Sequence, residues 1–162
     1  MVLVLVARVE AWAQGAAAPA LPPALIQGYA NAAIASHAMR VGGKAPKESR
    51  KTCEGDVDGN GQSDVVIVYT IEGVGGGNDW TQYALVMTAT AQGSTATAPK
   101  EVGKKGTRGV ESCTVADGGI TAVTKEQLPS DPECCPSKAG TLRLVLEKGK
   151  LVDAPAPAKS GP

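Results

Sequence analysis

Between Ala24 and Arg40, apolar-leaning positions recur every three or four residues: Ile26, Tyr29, Ala30, Ala33 and His37. That spacing predicts a helix with one face toward a core. Pro23 suits its first position, the alanines favour it, and Gly42-Gly43 ends it. The period then shortens to two. Val65–Ile71 is apolar at nearly every position, as in a strand covered on both faces. After the glycine-rich stretch Glu72–Asp79, the segment Trp80–Thr90 sets Tyr83, Leu85 and Met87 on one face and Trp80, Gln82, Ala84 and Val86 on the other. Gly109–Ala116 and Ile120–Lys125 flank Asp117-Gly118-Gly119, a strong hairpin signal. Leu142, Leu144 and Leu146 alternate with Arg143, Val145 and Glu147, and Lys148-Gly149-Lys150 turns the chain into Leu151-Val152. Residues 44–52 and 91–98 read as loops, with an edge strand near Cys53, and 129–137 as an irregular excursion. One helix followed by consecutive hairpins predicts an α+β fold: one N-terminal helix packed on an antiparallel β-sheet of hairpins. No internal repeat points to a propeller.

The ends read differently. Residues 1–13 are expected to be a signal-peptide remnant: Val2–Ala7 is apolar and Ala11-Trp12-Ala13 has the small-x-small pattern that precedes a cut. The basic front is missing, and Arg8 and Glu10 interrupt the pattern. A buried strand is the alternative. Residues 14–23 form a Pro/Ala linker, 24–153 a single α+β domain, and 154–162 a disordered Pro/Ala tail. No other stretch has the ~18 apolar residues of a membrane span.

Composition changes the picture in two ways. The 162-residue chain has no phenylalanine and only two tryptophans and three tyrosines, so its core must be aliphatic. Its 16 basic and 16 acidic residues cancel, which offers no case for nucleic acid or an anionic membrane as partner.

The richest local chemistry is Asp56-Val57-Asp58-Gly59-Asn60-Gly61-Gln62-Ser63-Asp64. Side-chain oxygens fall at loop positions 1, 3, 5 and 9, with glycine at 6, the ligand spacing of a calcium loop. Asp56, Asp58, Asn60 and Asp64 would offer side chains, and Gln62 its backbone carbonyl. Clustered carboxylates repel one another unless a cation lies between them. The bidentate glutamate of a full EF-hand is absent, since position 12 is Ile67, inside the strand that follows. A further ligand could come from Glu54, Glu72, Asp79 or Glu111. Without it, the expected affinity for Ca2+ is weak, on the order of 10⁻⁴–10⁻³ M, with a structural role. The plain alternative is a solvated Asx/Gly turn.

Cys53, Cys113, Cys134 and Cys135 are even in number and lack zinc-type C-x-x-C spacing. They fit disulfides in an oxidising compartment. Three pairings exist, and the residues alone leave the choice open.

The loop resembles the short D-x-D-x-N-G-x-x-D type that leads into a strand, as in FG-GAP repeats. The wider order also has a counterpart. Gly55–Asp64, Val68-Tyr69-Thr70-Ile71-Glu72-Gly73, Gly75–Tyr83 and Cys134-Cys135-Pro136-Ser137 follow one another as in a group of uncharacterised exported bacterial proteins, which the chain resembles over roughly residues 24–152. The resemblance implies bacterial export and a single sheet domain, and lends no activity. Cys53 and Cys113 depart from its paired-cysteine pattern.

The remaining chemistry is sparse. Any Ser-His-Asp arrangement must use His37, the sole histidine, and no nucleophile elbow is present. Gly73–Gly77 leads into a strand, so a hairpin tip is expected rather than a phosphate cradle. Lys100, Lys104, Lys105 and Arg108 read as a solvated basic loop. Trp80 and Tyr83 point to opposite strand faces; core burial is the ordinary fate, and an exposed Trp80 beside the glycine loop would bind a partner. The sequence therefore predicts a non-enzymatic periplasmic or secreted domain, stapled by calcium and disulfides, that binds a protein or glycan. The alternative is a cell-envelope enzyme or enzyme inhibitor acting through the Gly73–Trp80 loop.

Overall fold

The computed structural model describes residues 22–90 and 93–155. The signal-peptide segment 1–13, most of the 14–23 linker and the tail from residue 156 lie outside the described residues. Among the described residues the fold is α+β: one α-helix and a nine-stranded sheet, antiparallel at every pairing.

Helix α1 spans Pro23–Val41, with proline at its start and Gly42 at its C-terminal cap. Its buried face is Ala30, Ile34, Ala38 and His37. Tyr29, expected on that face, is 56% exposed. The 3.6-residue period carries the contact stripe through Ile34 instead, and small alanines let the helix lie close to the sheet.

The strands are β1 (Lys51–Gly55), β2 (Asp64–Glu72), β3 (Trp80–Thr90), β4 (Gly93–Ala96), β5 (Lys100–Lys104), β6 (Arg108–Ala116), β7 (Gly119–Glu126), β8 (Lys138–Glu147) and β9 (Lys150–Asp153). Their order is β1-β2-β3-β5-β6-β7-β8-β9, with β4 also on β3. Two of these elements replace expected loops. The 91–98 segment holds β4, and the basic 100–108 stretch is β5 turning into β6. Strand β3 is long enough to carry both on one edge. Met87–Thr90 pairs with β4 and Thr81–Ala84 with β5. The basic residues there are largely ion-paired: Lys100 to Asp153, Lys105 to Asp79 and Arg108 to Glu126.

At β5 the sheet turns a corner. A register shift falls at Gln82/Tyr83, and β5 meets β6 at the single pair Lys104↔Arg108. Buried Gln82 bridges the gap: its Oε1 accepts the Val110 N–H at 2.6 Å and its Nε2 donates to the Val110 carbonyl at 3.4 Å. One side-chain amide thus stands in for a strand's backbone group. Beyond the corner the sheet folds over, so β1 comes against β6. Cys53 is bonded to Cys113 across that seam. Gly55 permits the approach, because a Cβ there would lie 2.7 Å from Val115 Cβ.

The result is two cores sharing β2 and β3. Val66, Val68, Ala84 and Val86 face the folded-over sheet with Val110, Ile120, Ala122, Leu142 and Leu144. Ile67, Tyr69, Ile71, Leu85 and Met87 face α1. Cover on both sides accounts for the nearly continuous apolar run Val65–Ile71. Each large aliphatic side chain so buried contributes about 1.5–3 kcal/mol. No helix among the described residues is long and apolar enough to cross a membrane.

Candidate functional site

The acidic loop hangs between β1 and β2. Asp56 organises its turn: Oδ1 accepts the N–H groups of Gly59 (2.7 Å) and Asn60 (3.1 Å), and Oδ2 accepts that of Gly61 (2.8 Å). Gly61 has φ +81°, the conformation for which glycine is suited. Asp58 Oδ1 accepts the Asn60 N–H at 3.1 Å, and Asn60 Oδ1 accepts the Gln62 N–H at 2.7 Å. Asn60 Nδ2 donates to Asp58 Oδ2 (3.1 Å) and to the Ala89 carbonyl on β3 (2.7 Å).

Asp64 is the anchor. It is fully buried at the start of β2, where its Oδ2 accepts the Val57 N–H at 2.8 Å and its Oδ1 the Ala89 N–H at 2.9 Å. One carboxylate thereby joins the loop, β2 and the end of β3. An ionised acceptor strengthens both bonds.

Asp56, Asp58 and Asp64 form a group that could hold a metal ion, one oxygen of each lying within 4.8 Å of the others. Opposite ligands of a calcium-sized cation stand about 5 Å apart, because each bond is about 2.3–2.6 Å. The oxygens therefore match a single hard cation in chemistry and in spread. Their hydrogen bonds leave room for this: a carboxylate oxygen has two lone pairs, and Asp56 Oδ2 and the oxygens of Asp58 and Asp64 each accept one hydrogen bond. Gln62 contributes differently from the expectation of a backbone ligand alone: its side-chain Oε1 is buried and accepts no hydrogen bond among the described residues. Of the proposed extra ligands, none joins the three aspartates. Glu72 and Asp79 lie at the far end of the β2–β3 hairpin, about 26 Å away at some 3.3 Å per residue. Exposed Glu54 pairs in register with Val65 next to the loop, and Glu111 lines the cavity at the Trp80 end.

That far end holds the other candidate residue. Trp80 is half-buried. It lines two adjoining cavities of about 380 and 640 Å³, both also bordered by Glu72. The smaller is walled by β6 and by the β7–β8 loop, where exposed Cys134 and Cys135 are bonded to each other. Asp131 latches this loop. Its Oδ2 accepts the N–H groups of Leu128 (2.8 Å) and Ser137 (2.9 Å), and its Oδ1 the Ser137 hydroxyl (2.8 Å). The Leu128 N–H, followed by the Ser137 hydroxyl, holds the Asp131 carboxyl below its ordinary range. The larger cavity is bordered by Gly73, Gly76 and Gly77, with Asp79 paired to Lys105 at 3.3 Å. Sequence reasoning missed Lys125, Glu111 and Pro136 as neighbours of Trp80; they come from three separate segments, and no local spacing links them.

His37 lines neither cavity beside Trp80 and does not join the three aspartates. On the buried face of α1, its Nδ1 lies 2.7 Å from the Tyr69 hydroxyl and its ring is edge-on to Tyr83, centroids 4.5 Å apart. Burial, and then the nearby Arg40 charge, lowers its pKa. Burial pushes the Tyr69 hydroxyl well above its ordinary value. These groups read as a packed helix–sheet contact.

Comparison with protein-family models, curated proteins and solved structures finds no match to this chain.

Proposed function

We propose that the chain is an exported, non-enzymatic binding domain. The Asp56–Asp64 loop holds Ca2+ as a structural staple, and the Trp80 end meets a protein or glycan. The observation that carries the binding role is Trp80 itself: a large aromatic left partly exposed between two cavities that it lines together with Glu72. Calcium is favoured over softer metals because the donors are all oxygen, and over Mg2+ because an irregular set of side-chain oxygens on one loop suits its looser geometry. Both disulfides fit a periplasmic or secreted setting, as does the resemblance to exported bacterial proteins.

The alternative, an envelope enzyme or inhibitor using the Gly73–Trp80 loop, draws on Glu72 and Asp79 sharing the larger cavity. His37, the sole histidine, lines neither cavity and instead has its Nδ1 2.7 Å from the Tyr69 hydroxyl, so any acid–base chemistry there would fall to carboxylates, of which Asp79 is paired to Lys105. The binding reading is tested by capture from a cell-envelope fraction with the intact protein and its Trp80→Ala variant. Retention that is lost in the variant supports it; identical profiles overturn it. The staple is tested by melting in millimolar Ca2+, Mg2+ and EGTA, with calcium expected to raise the midpoint most. An unchanged midpoint in all three overturns the calcium assignment.

A further inference from the structure

We infer that the cleft beside Trp80 is a carbohydrate site whose rim is the Cys134–Cys135 disulfide. This rests on the reading of the Trp80 end as a binding face, and names the ligand class.

The floor of the smaller cavity is open because of Gly109. A Cβ there would come within 3.7 Å of Trp80 Cη2 and 3.8 Å of Pro136 Cγ. No side chain rises from Gly109 between the indole and the proline ring. Cys134 lines the cavity, and its bond to Cys135 closes a ring that includes the Cys134–Cys135 peptide, so this wall has few torsions left to lose on binding. The Asp131 latch fixes the same loop from behind. Rigid walls reduce the entropic cost of association.

The polar groups select the ligand. Glu72 and Glu111 are exposed, line the cavity, and make no side-chain hydrogen bond or ion pair among the described residues; Lys125, also lining it, makes none either. This differs from the acidic loop, where every carboxylate oxygen of Asp56 and Asp64 is engaged. An anionic ligand would be repelled by the two glutamates. A cationic amine would use them and face Lys125. A sugar hydroxyl both donates and accepts, so a polyol uses the carboxylates and the ammonium together. The C–H face of a pyranose ring has the flat apolar surface that an indole takes. The second cavity continues past Trp80 with Glu72 as common wall. The two volumes, about 380 and 640 Å³, suit a chain of sugar rings rather than one.

The experiment is an immobilised array of bacterial, plant and animal oligosaccharides, probed with the full chain and three variants: Trp80→Ala, Trp80→Phe and Glu111→Gln. Circular dichroism checks that each is folded. Glu111 is exposed, so its variant reports on the site even if Trp80→Ala unfolds. The expected result is binding to at least one neutral saccharide that survives about 1 M NaCl, where charges are screened beyond about 3 Å. Trp80→Ala and Glu111→Gln should each weaken it about tenfold or more, the loss typical of a central contact, and Trp80→Phe less. Saccharide binding unaffected by the variants overturns the site. Binding that vanishes in high salt, or is restricted to amine-bearing sugars, overturns the polyol class. If no saccharide binds but capture of a protein still requires Trp80, the carbohydrate inference falls and the binding face stands. If neither binds, both fall.

Discussion

The two ends of the β2–β3 hairpin use carboxylates in opposite ways. At the Asp64 end, acidic oxygens are turned inward and accept backbone N–H groups from the loop and from Ala89. At the Glu72 end, Asp79 is paired to Lys105, but Glu72 and Glu111 beside Trp80 make no side-chain hydrogen bond or ion pair among the described residues. The same functional group holds the chain together at one end, in aspartates, and is free for a ligand at the other, in glutamates. Charge alone does not distinguish these roles; the state of the hydrogen bonds does.

The sharpest way to break this comparison is Asp64→Ala. Two buried N–H groups, of Val57 and Ala89, would lose their acceptor, at about 1–3 kcal/mol each. A total loss of about 3–5 kcal/mol in urea unfolding is expected, whereas Glu72→Gln or Glu111→Gln should stay within about 0.5 kcal/mol. Equal effects at both ends would collapse the distinction. Next in size is the Cys53→Ser, Cys113→Ser pair. It opens a link spanning 60 residues, and a stability loss of about 2–4 kcal/mol is expected by the same measurement. Losing the Cys134–Cys135 bond should cost far less, since it closes no long loop.

Calcium comes third. At tenfold its dissociation constant, a ligand of the native state adds about 1.4 kcal/mol. Calorimetry should show that increment in wild type and none in Asp58→Ala, with Trp80→Ala retaining it. The smallest effect is expected at His37. Its pKa is lowered in the fold, so the unfolded chain binds the extra proton first as pH falls. Stability from the neutral ring is complete above the unfolded value of 6.5 and declines as pH drops from there through the lowered folded value. A His37→Gln variant should flatten that part of the stability–pH curve; an unchanged curve would place the acid sensitivity elsewhere.

Much of the framework was legible in the residues. The helix from Pro23, the doubly covered Val65–Ile71 strand and the Asp117-Gly118-Gly119 hairpin all follow from periodicity and turn chemistry, which are local properties. The convergence of Asp56, Asp58 and Asp64 was legible for the same reason: their spacing lies within nine residues. The missed strands β4 and β5 are Gly/Ser/Thr/Ala or lysine-rich. They exist because β3 has a long edge to fill, so tertiary pairing overrides weak propensity. The cleft was illegible because Trp80, Glu111, Lys125 and Pro136 meet only when the sheet turns at Gln82. The pairing of Cys53 with Cys113 likewise depends on that corner.

The seam between β1 and β6 also bears on how the molecule behaves in company. A sheet of this length has ends whose unpaired backbone groups invite strands from neighbouring chains. The Cys53–Cys113 bond and the Gly55–Val115 contact press β1 against β6, so that end is shielded within the molecule. The strand at the opposite end, β9, has four residues, as does β4 on the side of β3; both are too short to template much addition. Reduction of that one bond would therefore do more than loosen the fold. It would uncover a docking rail for a second copy, and concentrated reduced protein should aggregate where the oxidised form stays dispersed.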